Sequence, residues 1–534
     1  MSDPGAGTYP SQRVALYAGR GAVGTSQHLA AEAGLEALRH GGNAIDAAIT
    51  TAACLTVLEP HSNGLGGDAF AIVSTPDGLT GLNASGPSAL ASDAAYLRRR
   101  GFDAMPVTGI YPVTVPGVPA AWAALTQRFG RRTLAENLAP AIDYAERGSV
   151  VSPVQHRAMM AGYAQYHALA VGGRPEFATW EQAMCPDGVP AVGQRHRLPL
   201  HAASLAAIAE SGAEWFYRGE AADRLDAFSR SLDGFLRRED FAAFAPAWVD
   251  PVSVDYRGYD VWELPPNGQG LVALMALNIL RGFDIPARRN ALTWHRAIEA
   301  VKLAFADGLA YITDPAYMTV SPSDLLSEEY AAARRRLIGE QALTPYPGTP
   351  PKGGTVYLAA ADDAGNMISY IQSLYHGYGS GLFIPGTGIA LQNRGSEFKL
   401  DPAHANYLQP GKRTYHTIIP GFLTKAGVPV GPFGVMGGYM QPQGHTQVIM
   451  DTADFGADPQ QALDTPRFRW DGGLDVSIER AVGSEVLQDL ADRGHRLTVT
   501  GMESGYGHGQ IIWRAGEGFV GGTEPRVDGA MAMY

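Results

Sequence analysis

The stretch Pro350-Pro351-Lys352-Gly353-Gly354-Thr355-Val356-Tyr357-Leu358-Ala359 decides how this chain is read. Pro345, Pro347, Gly348, Pro350 and Pro351 lead into a Gly pair, and turn formers at this density keep a backbone extended, exposed and out of helix. From Val356 the residues read as a strand that turns at Asp362-Asp363-Ala364-Gly365-Asn366 and resumes as Met367-Ile368-Ser369-Tyr370-Ile371. Thr355 is therefore expected at the tip of a hairpin strand, behind a flexible tether. A threonine after Gly-Gly is by itself an ordinary loop residue, and only its surroundings give it weight.

The chain has 534 residues, 46% of them hydrophobic and 18% charged, which is the composition of a globular protein with a large core. A net charge of -12 argues against a nucleic-acid surface. Arg98-Arg99-Arg100 and Arg334-Arg335-Arg336 are short and read as solvated helix ends. Two cysteines, Cys54 and Cys185, make no disulfide framework and fit a reducing compartment. Met1-Ser2-Asp3-Pro4-Gly5 has no secretory pattern, and the apolar run Ala44 to Leu58 is too short to span a bilayer. The expectation is a cytoplasmic protein with no membrane partner.

Ser26 to His40 reads as a helix stopped by Gly41-Gly42, and Asn43 caps a second helix with Asp46 in its first turn. His61 to Asp68 is a Gly-rich turn feeding a strand from Ala69 to Val73. Val118, Trp122, Leu125 and Phe129 recur at helical spacing, as do Ile298, Val301, Phe305, Leu309 and Ile312; both read as core stripes. After Thr355, strands are expected at Ile418 to Leu423, Thr446 to Met450, Arg496 to Val499 and Gln510 to Trp513. Helices early and strands late suggest a layered α+β or α/β/α-type sandwich.

No His-Glu-x-x-His, zinc-spaced Cys pair or Gly-x-Ser-x-Gly occurs, and Gly377-Tyr378-Gly379-Ser380-Gly381 does not satisfy Gly-x-Gly-x-x-Gly, so no metal or cofactor site is read from the sequence. What remains is Thr355 and the Gly pairs. A threonine hydroxyl is a weak nucleophile unless a base adjoins it, and its own α-amine can be that base. The amine, with a pKa of about 8, exists only if the Gly354–Thr355 bond is cut. Gly437-Gly438, in Val435-Met436-Gly437-Gly438-Tyr439, could offer consecutive backbone N–H donors as an oxyanion hole.

Several segments together resemble the γ-glutamyltransferase family of self-cleaving N-terminal-nucleophile hydrolases. They are Gly41-Gly42-Asn43-Ala44-Ile45-Asp46-Ala47-Ala48, Glu59-Pro60-His61-Ser62-Asn63-Gly64-Leu65-Gly66-Gly67, Val115-Pro116-Gly117-Val118-Pro119, Phe305-Ala306-Asp307 to Asp314-Pro315, and Gly437-Gly438. The resemblance implies an αββα four-layer sandwich and one structural domain cut into residues 1–354 and 355–534, which stay together as a heterodimer. It also implies that Thr355 is the nucleophile, that Ser373 supports it, and that Gly437 and Gly438 form the oxyanion hole.

The substrate pocket departs from the family. Tyr375 stands where the resemblance implies an Asn for the glutamyl ammonium, Arg394 and Glu397 stand for its Gln and Asp, and His416 and Thr417 replace its carboxylate-binding serine pair. Leu82-Asn83-Ala84-Ser85-Gly86-Pro87 lacks the arginine expected for the α-carboxylate. A guanidinium where an ammonium should dock excludes that ammonium, unless Glu397 pairs with Arg394 and offsets it. Arg394 reads either as an anchor for a substrate carboxylate or as half of a structural ion pair with Glu397. The expectation is an amidase for small carboxylate-bearing amides without an α-amino group, of oxamate or glutaryl type. A γ-glutamyltransferase or glutathione hydrolase with an altered pocket, and an inactive binding homologue, are the rivals.

Overall fold

The hairpin after the Gly pair forms as Gly354–Asp362 against Met367–Tyr375, with Leu358 opposite Tyr370. The computed structural model describes residues 13–286, 289–345, 354–501 and 505–534, and of 354–356 only the backbone. The tether from 346 to 353 and the Thr355 hydroxyl thus lie outside the described residues. Asp362 closes the hairpin: its Oδ1 accepts the Asn366 N–H at 3.0 Å and its Oδ2 accepts the Ala44 N–H at 2.8 Å. A carboxylate at this place satisfies one of the open N–H groups of the helix Ala44–Leu58 and complements its dipole.

The strand that carries Thr355 is not an edge strand, although its partner Gly21–Thr25 reaches only as far as Leu358. The hairpin forms the centre of a seven-stranded sheet in the order Ala530–Met533, Gly21–Thr25, Gly354–Asp362, Met367–Tyr375, Asp68–Thr75, Gly78–Ala84, Ala247–Val249. Every pairing in it is antiparallel. A second antiparallel sheet runs Leu16–Ala18, Gly518–Thr523, His508–Ala515, Val428–Met436, Gly421–Lys425, Tyr259–Glu263, Val252–Tyr256. The sheets face each other, and Gly434 lies under the Tyr357 ring, where an added Cβ would come within 2.5 Å of a ring carbon. Each sheet mixes strands from before and after residue 354, so neither part of the chain closes a core alone.

Helices cover both outer faces, which completes the αββα sandwich. Ala44–Leu58, capped by Asn43 and Asp46 as expected, is buried at every residue against the first sheet. Gly270–Arg281, Ala291–Tyr311 and Met440–Ala453 form the layer on the second. The last of these corrects the strand expected at Thr446 to Met450. In a helix the Gln443 and Gln447 side chains can reach the Trp470 and Phe468 strand backbone, at 2.7–3.3 Å, and Gly444 lets it pack on Val435. Contacts outside the window outweigh the strand preference of Val448 and Ile449. Arg334 and Arg335 also differ from solvated helix ends: the first pairs with Asp307 at 2.9 Å, and the second donates to the carbonyls of Ile279 and Asn278.

A buried polar cluster pins the chain just upstream of the tether. The Lys302 ammonium donates to Glu299 at 2.7 Å and to the Leu343 carbonyl at 3.2 Å, while Glu299 accepts the Leu343 N–H at 3.0 Å. Lys302 also reaches His495 Nδ1 at 3.4 Å, His495 Nε2 meets His295 Nδ1 at 2.9 Å, and His295 Nε2 meets the Gly339 carbonyl at 3.0 Å. These contacts are consistent with one relay of protons, each nitrogen donating onward. His295, Glu299 and His495 lie close enough together to suggest a metal site, but the ammonium already holds the cation position and both imidazoles are committed to the relay. Lys302→Met leaves Glu299 as an uncompensated buried charge, and the expected loss is about 3–5 kcal/mol of unfolding free energy. Denaturant titration of the purified protein measures it; an unchanged midpoint would contradict this account of the cluster.

Candidate active site

Strand register brings the first candidate residues together. Gly354 pairs with Tyr375 and Val356 with Gln372, so the Thr355 backbone lies opposite the extra residue of a bulge at Ser373-Leu374. Ser373 in turn pairs with Asp68 on the next strand. Its Oγ accepts the Tyr375 N–H at 2.8 Å, and Tyr375 leaves the strand with φ +81°. A bulky side chain in that region signals a strained, specified turn. The turn carries the Tyr375 ring over the Arg394 guanidinium, 4.0 Å from its carbon to the ring centroid.

Gly437 and Gly438 follow the strand Val428–Met436, with φ of +137° and +60°. Only glycine adopts the first of these readily. The turn's carbonyls face the protein: that of Gly437 accepts the Met440 N–H and that of Gly438 the Gln441 N–H, both at 3.1 Å. Among the described residues, no acceptor takes the N–H of either glycine. Two adjacent backbone donors without a partner are the raw material of an oxyanion hole.

The pocket residues divide in a way the sequence did not reveal. Arg394 and Glu397 sit in one 3₁₀ turn, yet they form no ion pair. Glu397 is occupied by two phenols: it accepts from the Tyr375 hydroxyl and, at 2.7 Å, from the Tyr439 hydroxyl. Arg394 is fully buried, donates through Nη1 to Thr417 Oγ1 at 2.7 Å, and among the described residues has no hydrogen-bond partner for Nε or Nη2. His416 presents neither ring nitrogen to a ligand. Its Nδ1 accepts the Ile418 N–H at 3.3 Å and its Nε2 lies 2.9 Å from Asp68, so the tautomer donates to the carboxylate. Burial, with Arg394 nearby, holds His416 well below the usual histidine range and keeps it neutral.

Three residues here carried no local signal in the sequence. Asp68 accepts from Gly86 N–H at 3.1 Å, Gln392 at 2.9 Å and His416, and so knits the pocket's back wall. Arg413 enters from the part of the chain after residue 354, and its Nε donates at 2.9 Å to the carbonyl of Ser85, within the segment that lacks an arginine. Gln269 donates to the carbonyls of Thr417 and Gly438. All three are joined to their partners across hundreds of residues or by side chain to backbone, which no periodicity records.

Burial pushes the Asp68 carboxyl up to about 7, against the opposing pull of Arg394 and its hydrogen bonds. A carboxyl raised on folding binds its proton more tightly in the native state. The stability this contributes is complete below the usual aspartate value of 3.8 and is lost as pH rises through about 7. Across that window the melting temperature of the protein should therefore fall more steeply than that of Asp68→Asn. Parallel melting curves for the two proteins would contradict it.

The Gamma-glutamyltranspeptidase family model matches residues 30–534. The chain is 37% identical over 526 residues to the glutathione hydrolase-like YwrD proenzyme of Bacillus subtilis (strain 168), covering 95% of this chain and 98% of the relative. It is 34% identical over 523 residues to the oxamate amidohydrolase proenzyme of Klebsiella pneumoniae, covering 95% and 97%. Among solved structures, the cephalosporin acylase from Bacillus halodurans superposes with a TM-score of 0.95 at 53% identity, over 100% of this chain and 99% of that one. Among the described residues no helix is long and apolar enough to cross a membrane. The chain belongs to the γ-glutamyltranspeptidase family and is an enzyme of the self-processing N-terminal-nucleophile class of hydrolases and acyltransferases.

Proposed function

We propose that the protein hydrolyses small amides whose acyl group ends in a carboxylate and carries no α-amino group, through a threonyl acyl-enzyme. The single observation that carries this reading is Arg394: a fully buried guanidinium whose Nε and Nη2 have no hydrogen-bond partner among the described residues, with Glu397 committed elsewhere. Two adjacent N–H groups of one guanidinium match the two oxygens of a carboxylate. An ammonium at the same place would meet a buried cation and lose its water. The names of two relatives, an oxamate amidohydrolase and a cephalosporin acylase, agree with an amide-cleaving role.

In this reading the Thr355 hydroxyl first attacks the Gly354 carbonyl. The acyl group moves from nitrogen to oxygen, water cleaves the ester, and Gly354 keeps a carboxylate while Thr355 gains a free amine. Residues 1–354 and 355–534 then stay paired, because both sheets need strands from each. In turnover the amine takes the hydroxyl proton as Thr355 Oγ attacks the substrate amide, and passes it to the leaving nitrogen. Ser373 supports the hydroxyl, and the N–H groups of Gly437 and Gly438 hold the developing oxyanion. Arg394 anchors the distal carboxylate, with Thr417 and Tyr375 fixing its plane and Glu397 fixing Tyr375. Water, or an amine in its place, releases the acyl group.

Mass spectrometry of the purified protein should find fragments beginning at the native N-terminus and at Thr355, whereas Thr355→Ala should remain one chain. Glutaryl or oxamate amides should be cleaved well and γ-glutamyl-anilide poorly. Arg394→Met should lower kcat/KM on the carboxylate amides roughly 10- to 100-fold, the range for losing a charged hydrogen-bonded pair. Efficient turnover of the γ-glutamyl substrate alone would instead favour a glutathione-hydrolase reading, as the name of the YwrD relative suggests for that protein.

A further inference from the structure

Gln269 lies in the loop before the helix Gly270–Arg281, on the N-terminal side of the tether, and is fully buried. One nitrogen of its side chain makes two bonds: Nε2 donates to the Thr417 carbonyl at 2.6 Å and to the Gly438 carbonyl at 2.9 Å. Its Oε1 accepts the Tyr415 hydroxyl at 3.0 Å, which fixes which end of the amide is nitrogen. Its backbone N–H donates to the His416 carbonyl at 2.9 Å, and the His416 N–H returns a bond of 2.9 Å to the Asn267 carbonyl.

The two carbonyls that share Nε2 belong to the two ends of the proposed acyl site. Thr417 holds the Arg394 guanidinium through its hydroxyl, and Gly438 is half of the turn whose N–H groups have no acceptor among the described residues. One atom therefore sets the separation between the carboxylate anchor and the oxyanion donors. A substrate spans those two points with its acyl chain, so their separation selects chain length. We infer that Gln269 is a positioning residue that fixes the distance from Arg394 to the Gly437-Gly438 turn and thereby the acyl length the enzyme prefers. This rests on the acyl-pocket reading above. Gln269 touches neither substrate nor nucleophile; it acts through Thr417 and Gly438.

A purely structural glutamine would lower stability while leaving the order of substrates intact, so the test reads selectivity. Succinyl, glutaryl and adipyl p-nitroanilides, with butyryl p-nitroanilide as the uncharged control, are assayed on the processed wild type, Gln269→Ala and Tyr415→Phe. Tyr415→Phe removes only the bond to Oε1, and serves where the alanine variant does not process or fold. In Gln269→Ala the kcat on the preferred length should fall roughly 30-fold with KM within about threefold, as a displaced oxyanion donor predicts. The kcat/KM ratio between the preferred and next-best length should shrink about fivefold or more, and Tyr415→Phe should move it in the same direction by a smaller factor. An unchanged length ratio in the variants overturns the inference. If the wild type fails to prefer the carboxylate amides over the butyryl control, the acyl-pocket reading is what fails. Gln269 is then judged on butyryl kcat alone, where wild-type turnover in Gln269→Ala overturns its role.

Discussion

A guanidinium with no exposed surface is among the most costly groups a fold can hold, because burial strips its water and an interior gives little back. Arg394 meets that cost only in part: one nitrogen has a hydroxyl, a tyrosine face covers the plane, and two nitrogens have no hydrogen-bond partner among the described residues. The surrounding structure is arranged to keep it so. Glu397, the carboxylate nearest in sequence, is held by two tyrosine hydroxyls, and Asp68 by a histidine, a glutamine and a backbone N–H. Burial pulls the Arg394 guanidinium below the usual arginine range, and the nearby charges of Asp68 and Glu397 oppose that pull. In the proposed function, that balance suits an anion that arrives with the substrate.

The same logic of shared partners runs through the rest of the site. Ser373 belongs at once to a strand beside Asp68 and to the turn that lifts Tyr375 into the pocket. Thr417 gives its hydroxyl to Arg394 and its carbonyl to Gln269. Because each group satisfies two neighbours, a displacement at one end is transmitted to the other. The arrangement also crosses the proposed cleavage point: Asp68 and Gln269 come from before residue 354, while Arg394, His416 and Gly438 come from after it. Both sheets are interleaved in the same way, so a cut between 354 and 355 would sever the chain without dividing its core.

Local chemistry was legible where the partners lie close in sequence. Asn43 with Asp46 is a complete capping box, and the Asp362 to Asn366 turn closes the hairpin the alternation predicts. Ile298, Val301, Phe305 and Leu309 of the helical stripe lie on the single helix Ala291–Tyr311, and Ile312 caps its C-terminus. The reading failed at Thr446 to Met450, where β-branched residues sit in a helix because glutamines at 443 and 447 bond to a strand some twenty residues away. It also placed strands mainly after Thr355, although four of the seven strands in the first sheet and three of the seven in the second come from before it.

By itself the sequence determined the family and the elements whose caps, turns and periodicity lie within one stretch, because those are properties of neighbours along the chain. It left Arg394 balanced between a structural ion pair and an open anchor. Only the tertiary structure decided that Glu397 turns to Tyr375 and Tyr439, that His416 spends both nitrogens inside the protein, and that Arg413 and Gln269 reach the site from distant segments. The reason is directional: a hydrogen bond depends on where a donor points, and that is set by side chains brought together only when the two sheets close on each other.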